Sequence, residues 1–323
     1  MDPSVSPAII AGAVELLRAG RLVAFPTETV YGLGADASSA DAVARIFEAK
    51  GRPADHPLIV HLAGADALDA WAIDVPALAR TLAAACWPGP LTLVLRRSGA
   101  VPDAVTGGLP TVGLRVPAHP VALALLRAFG GGIAAPSANR FGTVSPTTAA
   151  HVRAGLGDRV DLVLDGGPAT VGVESTIVDL SGDEPAILRP GGLPREVQEA
   201  IAGVPLPVRD RGEVRVPGML AAHYAPDARL ELVRPGAQPA RAAALRAQGH
   251  TVGVLAFERG GPIEDATVVE LGSSEEDAAR RLYAAIRDLD ATCDVILAWP
   301  PVERGLGLAI ADRLRRAATG SAD

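Results

Sequence analysis

The sequence predicts an α/β protein of two domains. Its length of 323 residues exceeds the usual size of a single domain. Valine-rich runs typical of buried strands alternate with alanine- and leucine-rich runs of helical periodicity, which favours the α/β class. Hydrophobic residues make up 49% of the chain and aromatic residues only 3%. We therefore expect a core built mainly from Ala, Val, Leu and Ile.

The first two hundred residues hold most of the predicted elements. Strands are expected at 21–25, 57–62, 91–96, 111–116, 132–135, 160–165, 174–180 and 186–189, and helices at 8–19, 40–49, 75–86, 120–129, 147–154 and 194–202. Residues 26–34, PTETVYGLG, follow the first strand. Their turn residues predict a loop.

The rest of the chain predicts a linker and a smaller domain. Prolines and charges with little periodicity indicate a linker over 206–227. After it, strands at 229–233, 251–257, 267–271 and 294–298 alternate with helices at 239–247, 274–289 and 306–318. This alternation predicts a three-layer domain with a parallel sheet. The predicted boundaries are 1–205, 206–227 and 228–323.

Charge and cysteine content bound the function. The net charge is −7, and residues 1–205 carry 15 basic and 20 acidic side chains, so bulk charge gives no sign of a nucleic-acid surface. Cys86 and Cys293 are far apart without a CxxC neighbour, which predicts buried thiols in a reducing compartment. The N-terminus is unlike a signal peptide, and no long apolar run predicts a membrane span. We expect a cytoplasmic protein.

One pair of cations draws attention. The chain has 30 basic residues, of which 29 are arginine and only Lys50 is lysine. Lys50 and Arg52 lie two residues apart between a predicted helix and a strand, where both can converge on one anion. The alternative is a solvated helix end, because cations suit the C-terminus of a helix.

Two polar loops are further candidates. Ser137 and Asn139, the only asparagine, follow an apolar strand, where open α/β sheets bind ligands; ordinary turn chemistry is the alternative. The loop 26–34 offers Thr27, a carboxylate and glycines that let the backbone approach a ligand. Its alternative is a turn with Glu28 exposed.

Several single residues lie in or near apolar strands. His61 could be a satisfied core histidine or a ligand-binding group. Arg115 is predicted to be buried and then needs an anionic partner, either a carboxylate or a ligand. Ser175 and Arg189 lie in similar surroundings, and His223 and Tyr224 cluster with Met219 in the linker.

Familiar motifs of other enzyme classes are absent from the sequence. It contains neither the GxxxxGK[ST] nor the GxGxxG nucleotide loop, and neither a GxSxG nor an HExxH motif. Scattered cations and hydroxyls in one domain suit positioning and charge stabilisation in phosphoryl or nucleotidyl transfer.

The motifs FPTETVYGLG, AKGRP, PLIVH, WPGPLTLVL, TVGLRVPAHP, APSAN, DGG and GVESTIVDL occur in this order. Together they closely resemble the YrdC-like threonylcarbamoyl-AMP synthase family. The KxR and SxN pairs of that family are Lys50/Arg52 and Ser137/Asn139. The segment from Pro217 to Pro226 resembles the linker of its longer, two-domain form. The resemblance implies a YrdC-like open twisted sheet followed by a smaller Rossmann-like domain.

The resemblance also implies an activity and a site. L-threonine, bicarbonate or CO2, and ATP with Mg2+ would give threonylcarbamoyl-adenylate and pyrophosphate, and tRNA-modifying transferase machinery would use the product beside the anticodon. It implies Lys50 and Arg52 as the catalytic residues, and no metal ligand can be assigned. Threonine would be held by Thr27, His61, Arg115 and Ser175. ATP would be bound by Lys50, Arg52, Thr111, Ser137, Asn139, Ser145, Arg189, His223 and Tyr224.

Two alternatives stay open at this point. One is a carbamoyl-transfer module of the kind used in hydrogenase maturation, which should bring an acylphosphatase-like region and zinc-ligand cysteines. The other is a non-catalytic RNA-binding or ribosome-maturation protein, which predicts salt-dependent RNA binding without ATP turnover. For the synthase, we expect at most a weak RNA contact.

Overall fold

The computed structural model describes residues 5–209, 216–217, 223–257 and 263–320. It confirms the predicted α/β class. The chain forms two compact units: the first contains residues 1–141, 146–170 and 174–219, and the second contains 142–145, 171–173 and 220–323. The second unit thus includes two short segments that lie between parts of the first unit in the sequence. The predicted boundaries 1–205, 206–227 and 228–323 stay predictions.

The described part of the first unit is built on a nine-stranded mixed sheet with the strand order β7-β1-β2-β6-β3-β5-β4-β8-β9. Its strands are β1 Val23–Phe25, β2 Gly32–Asp36, β3 Ile59–His61, β4 Leu91–Arg96, β5 Thr111–Arg115, β6 Ile133–Ala134, β7 Leu162–Val163, β8 Thr176–Asp179 and β9 Ala186–Arg189. Its helices are α1 Pro7–Arg18, α2 Ala40–Lys50, α3 Leu68–Trp71, α4 Ala77–Cys86, α5 Asp103–Thr106, α6 Pro120–Phe129, α7 Ala149–Leu156 and α8 Arg195–Ala202.

Helices cover the sheet through two separate apolar clusters. Successive residues of a strand face opposite sides of a sheet. Val23 and Phe25 of β1 accordingly join the cluster that contains α1 and α6. Ala24, between them, joins the larger cluster that contains α2 and α4.

Strand β2 corrects the prediction of a loop over 26–34. A Cβ atom on Gly34 would lie 2.8 Å from the Phe25 ring and 2.9 Å from Ile133. The strand therefore needs glycine at this position to pack beside its neighbours. In the sequence the glycines of YGLG are typical of a turn, whereas in the fold Gly34 serves close packing within a strand.

The second unit confirms the predicted parallel-sheet domain. Its strands β10 Arg229–Leu232, β11 Val252–Ala256, β12 Thr267–Glu270 and β13 Val295–Ala298 are all parallel, in the order β10-β13-β11-β12. Its helices are α9 Gln238–Ala247, α10 Glu275–Asp290 and α11 Gly307–Gly320. Helix α9 packs on the face that carries Val252 and Val254. The intervening Gly253 faces Leu289 of α10, which gives three layers.

The linker is described only in part. Val216 and Pro217 belong to the first unit, and 223–227 belong to the second. Met219, which clusters with His223 and Tyr224 in the sequence, lies outside the described residues. Among the helices that the structure describes, none combines the length and apolar character needed to cross a membrane.

Candidate active site

The Lys50 ammonium ties α2 to the loop that follows β6. The helix ends at Gly51, whose φ of 63° lies in the left-handed region that favours glycine. Lys50 is 3% exposed, and its Nζ donates to the backbone carbonyls of Ser137 and Asn139, at 2.6 Å each. The alternative of a solvated helix end is therefore wrong. The structure also brings the KxR and SxN pairs together, which sequence separation alone could not establish.

The electrostatics of Lys50 favour an anionic ligand. Burial, and then the nearby Arg52, lower the pKa of Lys50 well below its ordinary value. An ammonium has three N–H donors, and the described residues accept two of them. A phosphate oxygen beside Nζ would accept the third and would favour the charged form.

Arg52 and Asn139 lie in the same region. Arg52 is 8% exposed and donates from Nη2 to the Pro57 carbonyl at 2.9 Å. Its guanidinium carbon lies 5.8 Å from the centre of the Phe141 ring, a cation–π distance. Asn139 donates from Nδ2 to the Arg140 carbonyl at 2.9 Å. The cation–π contact and the two hydrogen bonds to backbone carbonyls thus hold these side chains in place.

Arg115 and Glu28 form a buried ion pair. Arg115 donates from Nη2 to Glu28 Oε1 at 2.7 Å, and the two side chains are 5% and 8% exposed. The other oxygen, Glu28 Oε2, accepts from the backbone N–H of Ala118 at 3.0 Å. The partner that buried Arg115 requires is therefore a carboxylate of the chain. The alternative of an exposed Glu28 is wrong.

His61 is a neutral imidazole beside this pair. It lies opposite Arg115 in the parallel pairing of β3 with β5, and its ring packs edge-on against Phe25 at 5.9 Å. Burial and the charge of Arg115 lower the pKa of His61 to about 3. Its buried Nδ1 has no hydrogen-bond partner within the described residues. Both alternatives from the sequence, a core histidine and a ligand-binding group, therefore stay predictions for His61.

Thr27 holds the turn between β1 and β2. Its Oγ1 donates to the Val30 carbonyl at 2.6 Å and accepts from the Thr29 and Val30 N–H groups at 3.2 Å each. The following Tyr31 hydroxyl donates to Gly167 of the DGG motif at 2.7 Å. These contacts fix the PTETVYGLG segment by side-chain hydrogen bonds to backbone.

Ser175 and Arg189 are joined where β8 and β9 pair, near one edge of the sheet. Arg189 donates from Nη2 to the Ser175 carbonyl at 2.8 Å and to its hydroxyl at 3.1 Å. The Ser175 hydroxyl also lies 2.8 Å from that of Thr92. From Nη1, Arg189 donates to the Pro217 carbonyl of the linker at 3.0 Å. The guanidinium therefore links a strand end to the linker.

One face of the sheet collects most of these groups. Thr111, Gly113 and Arg115 alternate onto the same side of β5, and β4 and β3 bring Thr92 and His61 to that side by register. The apolar floor of this face is one buried cluster, in which the linker residue Val216 packs on strand residues. Its strand members are Ile59, Val94, Ile177 and Leu188. The structure thus shows an apolar floor rimmed by polar side chains.

Three predicted ATP-binding residues belong to the second unit. Ser145 is fully buried there. Tyr224 is 1% exposed, stacks on Tyr283 with ring centres 5.8 Å apart, and has the Arg313 guanidinium 5.0 Å from its ring. His223 packs edge-on against Tyr224 at 4.1 Å. A contact of these three with nucleotide stays a prediction.

Three contacts of the site escape prediction from the sequence. The sequence offers Glu28 as the carboxylate of a candidate loop but does not pair it with Arg115, because carboxylates in polar loops are usually exposed. The charge requirement of Arg115 is the signal that could have identified the pair. Thr92 and the Pro217 carbonyl give no signal of their own. Among the residues that the structure describes, no group of three or more His, Cys, Asp or Glu side chains is placed to hold a metal ion.

Two family models match this chain. A model of the Sua5/YciO/YrdC family, described as "Telomere recombination", matches residues 15–191. A model described as "Threonylcarbamoyl-AMP synthase, C-terminal domain" matches residues 194–319. The chain therefore belongs to the Sua5/YrdC family, a class of nucleotidyltransferase-type enzymes, and has its two-domain form.

Individual relatives cover nearly the whole chain. The threonylcarbamoyl-AMP synthase of Pyrococcus abyssi is 45% identical over 94% of this chain and 92% of its own length. The protein of the same name from Bacillus subtilis is 45% identical over 96% of this chain and 93% of its own length. The crystal structure of P. abyssi Sua5 complexed with L-threonine superposes with a TM-score of 0.92 at 44% identity, covering 98% and 96% of the two chains.

Replacing Glu28 tests the buried ion pair. Glu28→Gln keeps the shape but leaves the Arg115 charge without its carboxylate. We expect the free energy of unfolding, measured by urea titration, to fall by about 1.5–3 kcal/mol. Glu184→Gln is the matched control, because Glu184 pairs with Arg209 while 80% exposed, and surface pairs contribute about 1 kcal/mol or less. Equal losses in the two variants would contradict a structural role for the buried pair.

The lowered pKa of His61 predicts a pH-dependent stability. Below the unfolded-state pKa of about 6.5 the unfolded chain binds a proton, whereas the folded chain binds it only near pH 3. Between pH 7 and pH 4.5 this difference should remove about 2–3 kcal/mol of stability. Urea titrations at both pH values measure this loss. In His61→Gln the loss of unfolding free energy between the two pH values should be smaller than in the parent by about 2–3 kcal/mol. The partly exposed His250, changed to Gln, is the control and should lose as much as the parent; a parallel loss in both variants would overturn the assignment.

Proposed function

We propose that this chain forms threonylcarbamoyl-adenylate and pyrophosphate from L-threonine, bicarbonate or CO2, and ATP. The observation that carries the proposal is the buried Lys50 ammonium, which joins the KxR and SxN pairs and retains one N–H donor for an anion. The relatives' shared name, threonylcarbamoyl-AMP synthase, supports the same activity. The product would pass to tRNA-modifying transferase machinery.

The chemistry needs a carboxylated amine and an activated phosphate. The threonine nitrogen takes up CO2 to form a carbamate, with loss of a proton. A carbamate oxygen then attacks the α-phosphorus of ATP, and the bond to the β-phosphate oxygen breaks to release pyrophosphate. Negative charge grows on the phosphate oxygens during this step, so fixed cations at that position stabilise the transition state.

The residues of the first unit suit the nucleotide part of this reaction. We assign Lys50 and Arg52 to the phosphates as catalytic residues, with Ser137 and Asn139 beside them. Arg189 and Thr111 complete the set within the first unit, and Ser145 is assigned to ATP from the second. Mg2+ enters with the substrate as MgATP, since Mg2+ is commonly held by phosphates and few protein groups.

Threonine is assigned to the sheet face around Arg115. Arg115, oriented by Glu28, would bind the carboxylate of threonine, and Ser175 and Thr27 offer hydroxyl groups. His61 is neutral, so the free nitrogen of its ring can accept or donate one hydrogen bond without adding charge. The solved P. abyssi relative is complexed with L-threonine, which supports the assignment.

The alternatives fit less well. The model that matches residues 194–319 is described as the C-terminal domain of threonylcarbamoyl-AMP synthase, which favours the synthase over a carbamoyl-transfer module. A non-catalytic RNA-binding protein gains no support from a net charge of −7.

Both described cysteines are free thiols, which supports a reducing, cytoplasmic location.

A direct assay with an amino-acid comparison tests the proposal. Purified protein is incubated with ATP, Mg2+, bicarbonate and either L-threonine or L-valine, while pyrophosphate and the adenylate are measured. Valine keeps the branched shape but lacks the hydroxyl, so polar partners would stay unpaired at a cost of roughly 1–3 kcal/mol. We expect a kcat/KM for valine about 5- to 150-fold lower. Equal turnover of both amino acids, or no adenylate with threonine, would contradict the proposal.

The cation pair is tested by three substitutions. We expect Lys50→Ala and Arg52→Ala each to lose most pyrophosphate release while circular dichroism shows a retained fold. Lys50→Arg should also be impaired, because a planar guanidinium does not replace a compact ammonium between two carbonyls. The control is Arg80→Ala, since Arg80 lies at the surface beside Asp69. Near-parental rates in both alanine variants would remove Lys50 and Arg52 from the site.

The linker over 206–227 is proposed to act as a lid. Val216 packs on the floor of the sheet face, and Arg189 bonds the Pro217 carbonyl. A closed lid would also keep water from the labile carbamate. A passive tether is the alternative, and proline-rich tethers are common.

Limited proteolysis across 206–227 distinguishes the lid from the tether. A lid should become protected when ATP and L-threonine are both present, and His223→Ala/Tyr224→Ala should lose adenylate formation. Tyr224→Phe keeps the stack on Tyr283 and controls for packing in the second unit. Cleavage that ignores both ligands, together with a fully active double variant, would leave only a tether.

A further inference from the structure

The second unit contains a cavity with no part in the proposed reaction. Its volume is about 620 Å³, within the range of small-molecule sites. Loops that follow β10, β11, β12 and β13 line it, so it lies at the carboxyl edge of the parallel sheet. Every lining residue belongs to the second unit.

The strand order makes this edge a topological switch point. The chain leaves β11 towards β12 on one side of the sheet, whereas it leaves β13 into α11, which packs near β10 on the other side. Loops that diverge in this way open a crevice between adjacent parallel strands, where ligands of such sheets bind. Phe257 follows β11 and Trp299 follows β13, so both flank that crevice.

The lining is suited to a planar ring. The Phe257 and Trp299 rings meet edge to face with centres 5.6 Å apart, and both residues are only half-buried. Three prolines, together with Val302, which is 71% exposed, extend the apolar surface. Half-exposed aromatic rings beside an open cavity offer a stacking surface for a flat ligand.

A buried amide supplies a polar contact. Gln238 lines the cavity at the start of α9, is 5% exposed, and has no hydrogen-bond partner for Nε2 among the described residues. A buried polar group without a partner is costly unless a ligand or water satisfies it. The donor and acceptor of one side-chain amide match the edge of a heteroaromatic base.

The charges of the cavity give no net attraction for a phosphate, because the lining carries one carboxylate, Glu275, and one guanidinium, Arg304. The Glu275 carboxylate accepts from the backbone N–H groups of Leu306 and Gly307, at 3.0 and 3.4 Å, and so satisfies the start of α11 from within the chain. Helix α10 begins with Glu275, Glu276 and Asp277, which repel an anion at the helix end that would otherwise attract it.

We propose that the cavity at the carboxyl edge of the β10–β13 sheet is a binding site for an uncharged heteroaromatic ligand of the nucleoside class. Its ring packs against Trp299 and Phe257, and Gln238 bonds its polar edge. This site is separate from the nucleotide site assigned to the first unit and does not rest on the proposed reaction.

A single-tryptophan form of the full chain reports on this cavity alone. The chain has three tryptophans, and Trp71→Phe with Trp87→Phe leaves only Trp299. Adenosine as the probe should quench its fluorescence saturably, with a Kd between about 10 μM and 1 mM for a ligand of this size. AMP should bind no more tightly than adenosine, because the carboxylate and the guanidinium of the lining offset each other and further acidic residues follow at the start of α10. Adenylate formation serves as the separate readout of the first unit.

Variants in the same background decide the assignment. Gln238→Leu should weaken adenosine binding about fivefold, the effect of one hydrogen bond, while the control Ile73→Ala, at an exposed position of the first unit, should leave it unchanged. Absent or unsaturable quenching, an unaffected Gln238→Leu, or tighter binding of AMP would each overturn the proposal. If the single-tryptophan form does not fold, saturation-transfer NMR of adenosine with the parent chain and Trp299→Leu gives the same decision, since an equal signal in both excludes this cavity.

Discussion

The buried Lys50 ammonium is the constraint on which the candidate nucleotide site depends. It is one side chain, yet it fixes the end of α2 and the loop after β6 by bonding the carbonyls of Ser137 and Asn139. Burying a charge is expensive unless hydrogen bonds compensate it. The two carbonyls provide part of this compensation, and an anionic ligand can provide the rest. The proposed phosphate binding at Nζ would therefore be coupled to the order of this loop.

The Arg115–Glu28 pair places a second charge constraint on the same sheet. The Glu28 carboxylate offsets much of the Arg115 charge. Arg115 would therefore bind a ligand more through the direction of its N–H groups than through net charge. The neighbouring His61 is held neutral by burial, which lowers its pKa, and by the charge of Arg115. Charge around Arg115 and His61 is thus kept low, whereas Lys50 lies close to a second cation, Arg52. This contrast agrees with the proposed binding of one small amino acid and one polyanion.

The architecture could be predicted well from the sequence because the signals that begin and end its elements are local. Every helix and strand expected in the second domain has a counterpart, and most elements of the first domain lie within two or three residues of prediction. The failures come from long-range packing. Strand β2 is hidden because Gly34 is required by Phe25 and Ile133, which lie elsewhere in the sequence. The ion pair of Glu28 could not be predicted because its partner Arg115 is 87 positions away. Residues that meet only in the fold leave no periodic signal.

The two sheets explain why ligand sites in the two units are built differently. In the first unit, antiparallel and parallel neighbours are mixed, so strand ends are divided between both edges. Side chains at alternate positions therefore gather on a face, where cations and hydroxyls form the proposed nucleotide site without a glycine-rich phosphate loop. In the second unit all four strands are parallel, so every carboxyl end meets at one edge. A cavity at that edge follows from the topology, and its lining is mostly apolar.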